Sequence, residues 1–189
     1  MKELKQYPTI ACCGLDCGLC PTFYIKGPSK CPGCYGPNFI KKHPSCSIIT
    51  CCVKKKHFET CAECKDFPCE KLKDWDKYDS FICHRKSISN LKFIQENSLK
   101  EYIDQQNERI KLLEIMLNEY NEGRSKSFYC ISTALMDILD LKKALKESEQ
   151  QIEKDGIEST DIKTKSKVLK NILNRLAKQK VISLKLKKK

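Results

Sequence analysis

Cys12-Cys13-Gly14-Leu15-Asp16-Cys17-Gly18-Leu19-Cys20-Pro21 opens the stretch that decides the fold. Its close cysteine spacing continues through Cys31-Pro32-Gly33-Cys34, Cys46, Cys51-Cys52, Cys61-Ala62-Glu63-Cys64 and Cys69. Of the 58 residues from Cys12 to Cys69, only 11 are Leu, Ile, Val or Phe. A segment so poor in large apolar side chains does not bury enough surface by itself to offset its chain entropy. It also holds five of the seven glycines and six of the seven prolines, so it reads as turns, loops and short helices. Such a segment folds when covalent or coordinate bonds stand in for the missing core.

Disulfides and metal ions are the two cross-links on offer. The N-terminus carries Lys2, Glu3 and Lys5 and lacks the apolar run of a secretory signal. A cytoplasmic location is therefore expected, where thiols stay reduced. Cys17–Cys20, Cys31–Cys34 and Cys61–Cys64 are C-x2-C pairs. That spacing turns two sulfurs toward one point and is half of a tetrahedral zinc site. As disulfides, the same pairs would close loops too short to constrain the unfolded chain much.

Two zinc ions are expected on this count. The simplest first set is Cys17, Cys20, Cys31 and Cys34, with Cys13 as a fifth candidate. The second draws on Cys46, Cys51, Cys61, Cys64 and Cys69. Five candidates for four places leave the pairing open, interleaved arrangements included. Four thiolates make a closed shell suited to a structural role. Cys12, Cys52 and Cys130 read as small buried apolar residues, with Cys83 also outside the sets. His43, His57 and His84 lie near cysteines and are substitute ligands only. The alternative to zinc is an iron–sulfur cluster or a thiol redox site, since Cys13, Cys17 and Cys20 form C-x3-C-x2-C. The bacterial ferredoxin run is absent.

After Cys83 the texture becomes helical. Ser98 is placed to cap a helix carrying Leu99, Tyr102, Ile103, Ile110, Leu113, Leu117 and Tyr120, which Asn121-Glu122-Gly123 ends. A second helix follows, with Phe128, Ile131, Leu135, Ile138, Leu139 and Leu145 on one face, and the short link predicts an antiparallel hairpin. In the connector, Arg124, Lys126 and Ser127 form a candidate anion site, with Ser127 as the N-cap. An ordinary polar turn is the competing reading. Glu147 to Ser166 reads as a polar linker.

Charge is uneven along the 189 residues. The overall +12 divides into +4 for residues 1–84, zero for 85–150 and +8 for 151–189. Within the basic tail, Val168, Leu169, Ile172, Leu173, Leu176 and Ala177 predict an amphipathic helix, and Ile182, Leu184 and Leu186 alternate as a strand would. This tail is the candidate contact for nucleic acid or an acidic protein. It is equally readable as a solvated helix packed on its own domain. No apolar run is long enough to span a bilayer.

The expected architecture is mainly α. A metal-stapled, cysteine-rich loop and short-helix unit (1–84) packs on an α-helical hairpin (85–146), and 147–189 forms a polar linker and basic helical tail. Catalysis is not expected, because H-E-x-x-H and H-x-E…C-x-x-C arrangements, nucleophile–base pairs and nucleotide loops are missing.

The cysteine order resembles a prokaryotic family, domain-of-unknown-function family 3795. The resemblance rests on Cys13-Gly-Leu-Asp-Cys17-Gly-Leu-Cys20-Pro21, Cys31-Pro-Gly-Cys34, Cys46-Ser-Ile-Ile-Thr-Cys51, Cys61-Ala-Glu-Cys64 and Phe67-Pro-Cys69-Glu70. Gly123-Arg-Ser-Lys-Ser-Phe-Tyr-Cys130 also resembles a feature of longer members. The resemblance implies a metal-binding domain, with zinc as the expected metal and no established activity. It carries over onto Cys13, Cys17, Cys20, Cys31, Cys34, Cys46, Cys51, Cys61, Cys64 and Cys69. The tail lies outside it.

Overall fold

Helices dominate the computed structural model, which describes residues 5–43 and 45–189. Two short helices lie in the cysteine-rich part, α1 (Phe39–Lys42) and α2 (Ser47–Ile49), the latter running into a π turn over Thr50–Lys55. The longer ones are α3 (Ser87–Glu96), α4 (Leu99–Glu119), α5 (Lys126–Leu135), α6 (Ile138–Lys154) and α7 (Ile162–Gln179). The mainly-α expectation holds. Contacts divide the chain after Gln106: one compact unit contains the cysteine-rich part, α3, the start of α4 and Lys187–Lys189, and the other spans Asn107–Leu186.

The first unit has a core of unusual make-up. Cys12, Cys13, Cys34 and Cys52 are buried together with Ile10, Phe39, Ile48, Ile49 and Val53, and with Leu91, Ile94, Tyr102 and Ile103 from α3 and α4. The apolar surface that the 12–69 segment lacks is thus supplied by two helices beyond residue 84. Texture changes at 84, but the compact unit runs on to Gln106.

Asp16 ties those helices to the cysteine loop. Its carboxylate accepts from Tyr102 Oη, from Gln106 Nε2 at 2.8 Å and from Asn90 Nδ2 at 2.9 Å. Asn90 Nδ2 also donates to Gly14 O, and Gln106 Nε2 to Thr9 O. Gly14 itself has φ +83°, and a Cβ there would lie 2.1 Å from Ser87 O at the start of α3. Glycine is required at that close approach.

In the second unit, Leu113, Met116, Tyr129, Leu141, Ala144, Leu169 and Leu173 are fully buried. Two sequence expectations are corrected here. The single helix expected from Phe128 to Leu145 is broken at Met136-Asp137: Met136 is extended and Asp137 is the N-cap of α6. Arg109 on α4 donates to Thr133 O and Met136 O, both at 2.6 Å, satisfying carbonyls that the break leaves free. The break also resets the helical phase, so Leu139 is exposed while Leu141, Ala144 and Leu145 are buried. The linker expected from Glu147 begins later, because α6 runs to Lys154.

The tail helix forms as α7, with Asp161 accepting from Thr164 N at 3.0 Å as its N-cap. Leu169, Leu173, Leu176 and Ala177 are its buried face, and α6 packs along α7. The alternating residues Ile182, Leu184 and Leu186 do not form a strand; Leu184 is buried in irregular chain. Alternation specifies a face only where a neighbouring strand exists to pair with. Farther on, Lys187 and Asp79 exchange backbone and side-chain hydrogen bonds at 2.7 Å.

Candidate metal centre

Local chain chemistry sets the cysteines before packing gathers them. Thr60 and Glu63 form a capping box around the 3-10 turn Cys61–Glu63, with Glu63 Oε1 accepting from Thr60 N at 2.8 Å and from Glu59 N at 2.7 Å. Cys64 N then donates to Cys61 O at 3.1 Å, which closes the C-x2-C turn. Gln95 of α3 donates to Ala62 O at 3.0 Å and holds that turn in place. The π turn presents Cys51, and Cys69 caps the turn Glu70–Leu72.

These turns converge on one cleft of about 530 Å³, lined by Cys51, Cys52, Cys61, Cys64 and Cys69, with Ile48, Phe58, Phe67 and Leu72 as apolar walls. Lys56 enters it, donating to Cys64 Sγ at 2.8 Å and to Asp66 Oδ2 at 2.7 Å. The Asp66 carboxylate and the Cys64 sulfur hold the Lys56 pKa far above its usual range, so the ammonium stays charged beside that sulfur. Four of the five residues expected in the second set line this cleft; Cys46 does not.

A second group is buried. Cys17 and Cys20 flank the 3-10 turn Cys17–Leu19, with Cys20 N donating to Cys17 O at 3.1 Å. Cys34 is anchored by its N–H to Pro8 O at 2.8 Å. Burial pushes the Cys13 thiol up to about 12, assisted by its neighbours Cys34 and Cys46. Burial likewise raises Cys17, with Cys34, Cys13 and Cys20 as its thiol neighbours. Cys13, Cys17, Cys34 and Cys46 therefore share one electrostatic neighbourhood, an interleaved grouping. Lys5 lies within reach of Cys17 and Cys34, its buried ammonium donating to Ile10 O and Glu59 O at 2.7 Å each.

Cys20 and Cys31 lie to one side of that group. Cys20 neighbours Cys31, and its sulfur contacts Thr22 Oγ1 at 3.0 Å. Cys31 Sγ stands 3.4 Å from His43 Nε2. Cys12 and Cys52, expected as plain core residues, are buried, and Cys12 Sγ is 3.9 Å from Cys34 Sγ. Cys130 is buried and Cys83 half-buried. Among the described residues, no three His, Cys, Asp or Glu side chains already stand in ion-holding geometry.

The connector motif is arranged differently from its expectation. α5 begins at Lys126 with Ser125, not Ser127, at the N-cap. Arg124 and Ser127 are exposed. Ser125 Oγ makes no cap bond and instead meets Ser166 Oγ at 3.0 Å and Lys170 Nζ at 2.9 Å. Glu122 completes this knot, accepting from Ser166 Oγ at 2.8 Å and from Lys170 at 3.2 Å. The knot joins α7 to the start of α5.

Residues 9–74 match the model of a protein family of unknown function, DUF3795. They are a DUF3795 segment. All ten cysteines placed in candidate sets fall inside it, as does Asp16, the clasp residue that sequence reading passed over. The DUF3795 match ends before α3, so two of the helices that complete the first unit's core lie beyond it. No curated protein and no solved structure matches the chain.

Proposed function

We propose that this chain is a zinc-binding protein whose thiolates hold structural ions, and that it works as an interaction module. The observation that carries this reading is the cleft in which Cys51, Cys61, Cys64 and Cys69 come together from three separate turns. Four sulfur donors from turns of different loops are the composition of a closed zinc site. The Cys13, Cys17, Cys34 and Cys46 neighbourhood supplies donors for a second. Fit is judged from donor chemistry: thiolates suit zinc or iron–sulfur, and no hard-oxygen donor set accompanies them. When bound, the ions supply cross-links between loops that otherwise share few apolar contacts. Lys5 and Lys56 place positive charge beside sulfurs that carry negative charge in such a site.

The partner expected for the module is nucleic acid or an acidic protein, met through the basic face of α7. Exposed Lys163, Lys167 and Lys178 support it. Arg175, Lys170 and Lys180 do not contribute, being paired with Glu147, Glu122 and with Asp137 and Asp140.

Metal analysis of the anaerobically purified full-length protein tests the first part. At least two zinc ions per chain in a colourless sample is the expected result. Visible absorbance with stoichiometric iron favours the iron–sulfur reading, and a metal-free folded protein overturns both. Affinity for polyanions that falls steeply with salt supports the second part, and salt-independent or absent binding removes it.

A further inference from the structure

Ten candidate cysteines exceed by two what a pair of four-thiolate sites takes up, and the structure gathers that surplus in one place. Cys51, Cys61, Cys64 and Cys69 line the cleft. Cys13 neighbours Cys17, Cys34 and Cys46. Cys20 and Cys31 remain, next to each other, and Cys31 Sγ lies 3.4 Å from His43 Nε2. We propose that Cys20, Cys31 and His43 form a third zinc site, of two-cysteine, one-histidine composition, with its fourth position open. This rests on the thiolate–zinc reading above.

Several contacts orient the three residues without any ion. The His43 ring stacks on Phe39, with centroids 4.4 Å apart and planes 5° from parallel, and His43 N donates to Phe39 O at 2.9 Å. Lys42 Nζ donates to Lys30 O at 2.9 Å, pinning the end of α1 to the residue before Cys31. Thr22 joins the two cysteines: its carbonyl accepts from Cys31 N at 3.0 Å, and its hydroxyl contacts Cys20 Sγ at 3.0 Å.

The spacing is that of a coordination polyhedron. Zinc–sulfur and zinc–nitrogen bonds at the tetrahedral angle put the two donor atoms about 3.5 Å apart. The Cys31–His43 separation of 3.4 Å already matches that edge. Cys20 completes the face by exchanging its Thr22 contact for the ion. Two thiolates and a neutral imidazole balance the charge of Zn²⁺, whereas a four-thiolate site is left at −2. With only three protein donors, the ion takes a water or an incoming thiolate as its fourth ligand. The other histidine whose ring contacts are known is committed elsewhere: both His84 ring nitrogens are engaged, by Ser80 Oγ at 2.9 Å and Trp75 O at 3.1 Å.

The test uses the reduced full-length protein with ¹⁵N-labelled histidine, titrated anaerobically with zinc chloride. The expected result is three ions per chain, with His43 Nε2 moving to its metal-bound frequency while His57 and His84 keep theirs. His43→Gln should bind two ions with its helical circular dichroism unchanged, and His43→Cys should restore the third. Zinc uptake with the His43 nitrogens unmoved overturns this site and leaves the thiolate reading intact. A protein that takes up no zinc overturns both.

Discussion

The two compact units reach stability by different chemistry. Residues Asn107–Leu186 bury Leu113, Met116, Leu141, Leu169 and Leu173 along helices whose periodic faces meet. The cysteine-rich unit buries four cysteines among its aliphatic and aromatic residues and strings its donors along short turns. A helix face is specified by residues three and four apart, so it forms with little help. A thiol cluster is assembled from turns tens of residues apart, and each loop closed costs chain entropy. The comparison teaches that one chain can place its local order and its long-range order in separate segments.

Metal removal should separate the two most sharply. Anaerobic chelation is expected to strip backbone hydrogen-exchange protection from residues 9–74 while the amides of α6 and α7 stay protected. Each structural zinc site contributes on the order of 10 kcal/mol in small domains, so this is the largest effect. Equal protection throughout, with and without chelator, would break the distinction.

Core substitution should act in the opposite place. Leu173→Ala, at a fully buried position on α7, is expected to cost about 2–5 kcal/mol, read as a lower denaturation midpoint for the second unit with zinc content unchanged. Gly14→Ala is its counterpart in the first unit. With φ at +83° and Ser87 O in the way, it should cost about 2–4 kcal/mol through strain and displacement of α3. A neutral result would mean that the α3 contact is dispensable.

Smaller effects sharpen the picture of the second unit. Arg109→Met removes the donor to Thr133 O and Met136 O and should cost about 1–3 kcal/mol, with faster exchange at the end of α5. Glu122 gives the pH signature. Its hydrogen bonds to Ser125, Ser166 and Lys170 outweigh partial burial and hold its pKa down to about 2, against an ordinary 4.5. A depressed carboxylate stabilises the fold above its unfolded pKa. That contribution is therefore complete above about pH 4.5 and is lost as pH falls toward 2. Glu122→Gln should flatten this part of the acid limb in a pH series of denaturation midpoints, and an unchanged limb would assign acid sensitivity elsewhere.

Much of this was legible from residue order. The C-x2-C turns at 17–20 and 61–64, the cap at Ser98 and the stop at Gly123 follow local rules. Glu101 N donates to Ser98 Oγ at 3.1 Å, and Gly123 has φ +98°. The break at Met136-Asp137 was hidden because apolar spacing continues across it, although Asp137 is itself a cap signal. Asp16 was hidden because a lone acidic residue between cysteines reads as polar loop. His43 was weighed only as a substitute ligand, since its partner Cys31 lies 12 residues away and its orienting ring, Phe39, one helical turn before it.

Residue order alone determined that the chain is mainly helical, where its turns tighten and which residues carry sulfur donors, because those features depend on neighbours a few positions apart. Only the tertiary structure decided which cysteines become neighbours, that α3 and α4 complete the first core, and that the connector serines face Lys170 in place of an anion. Those outcomes depend on which distant segments pack together, and spacing along the chain carries no measure of that.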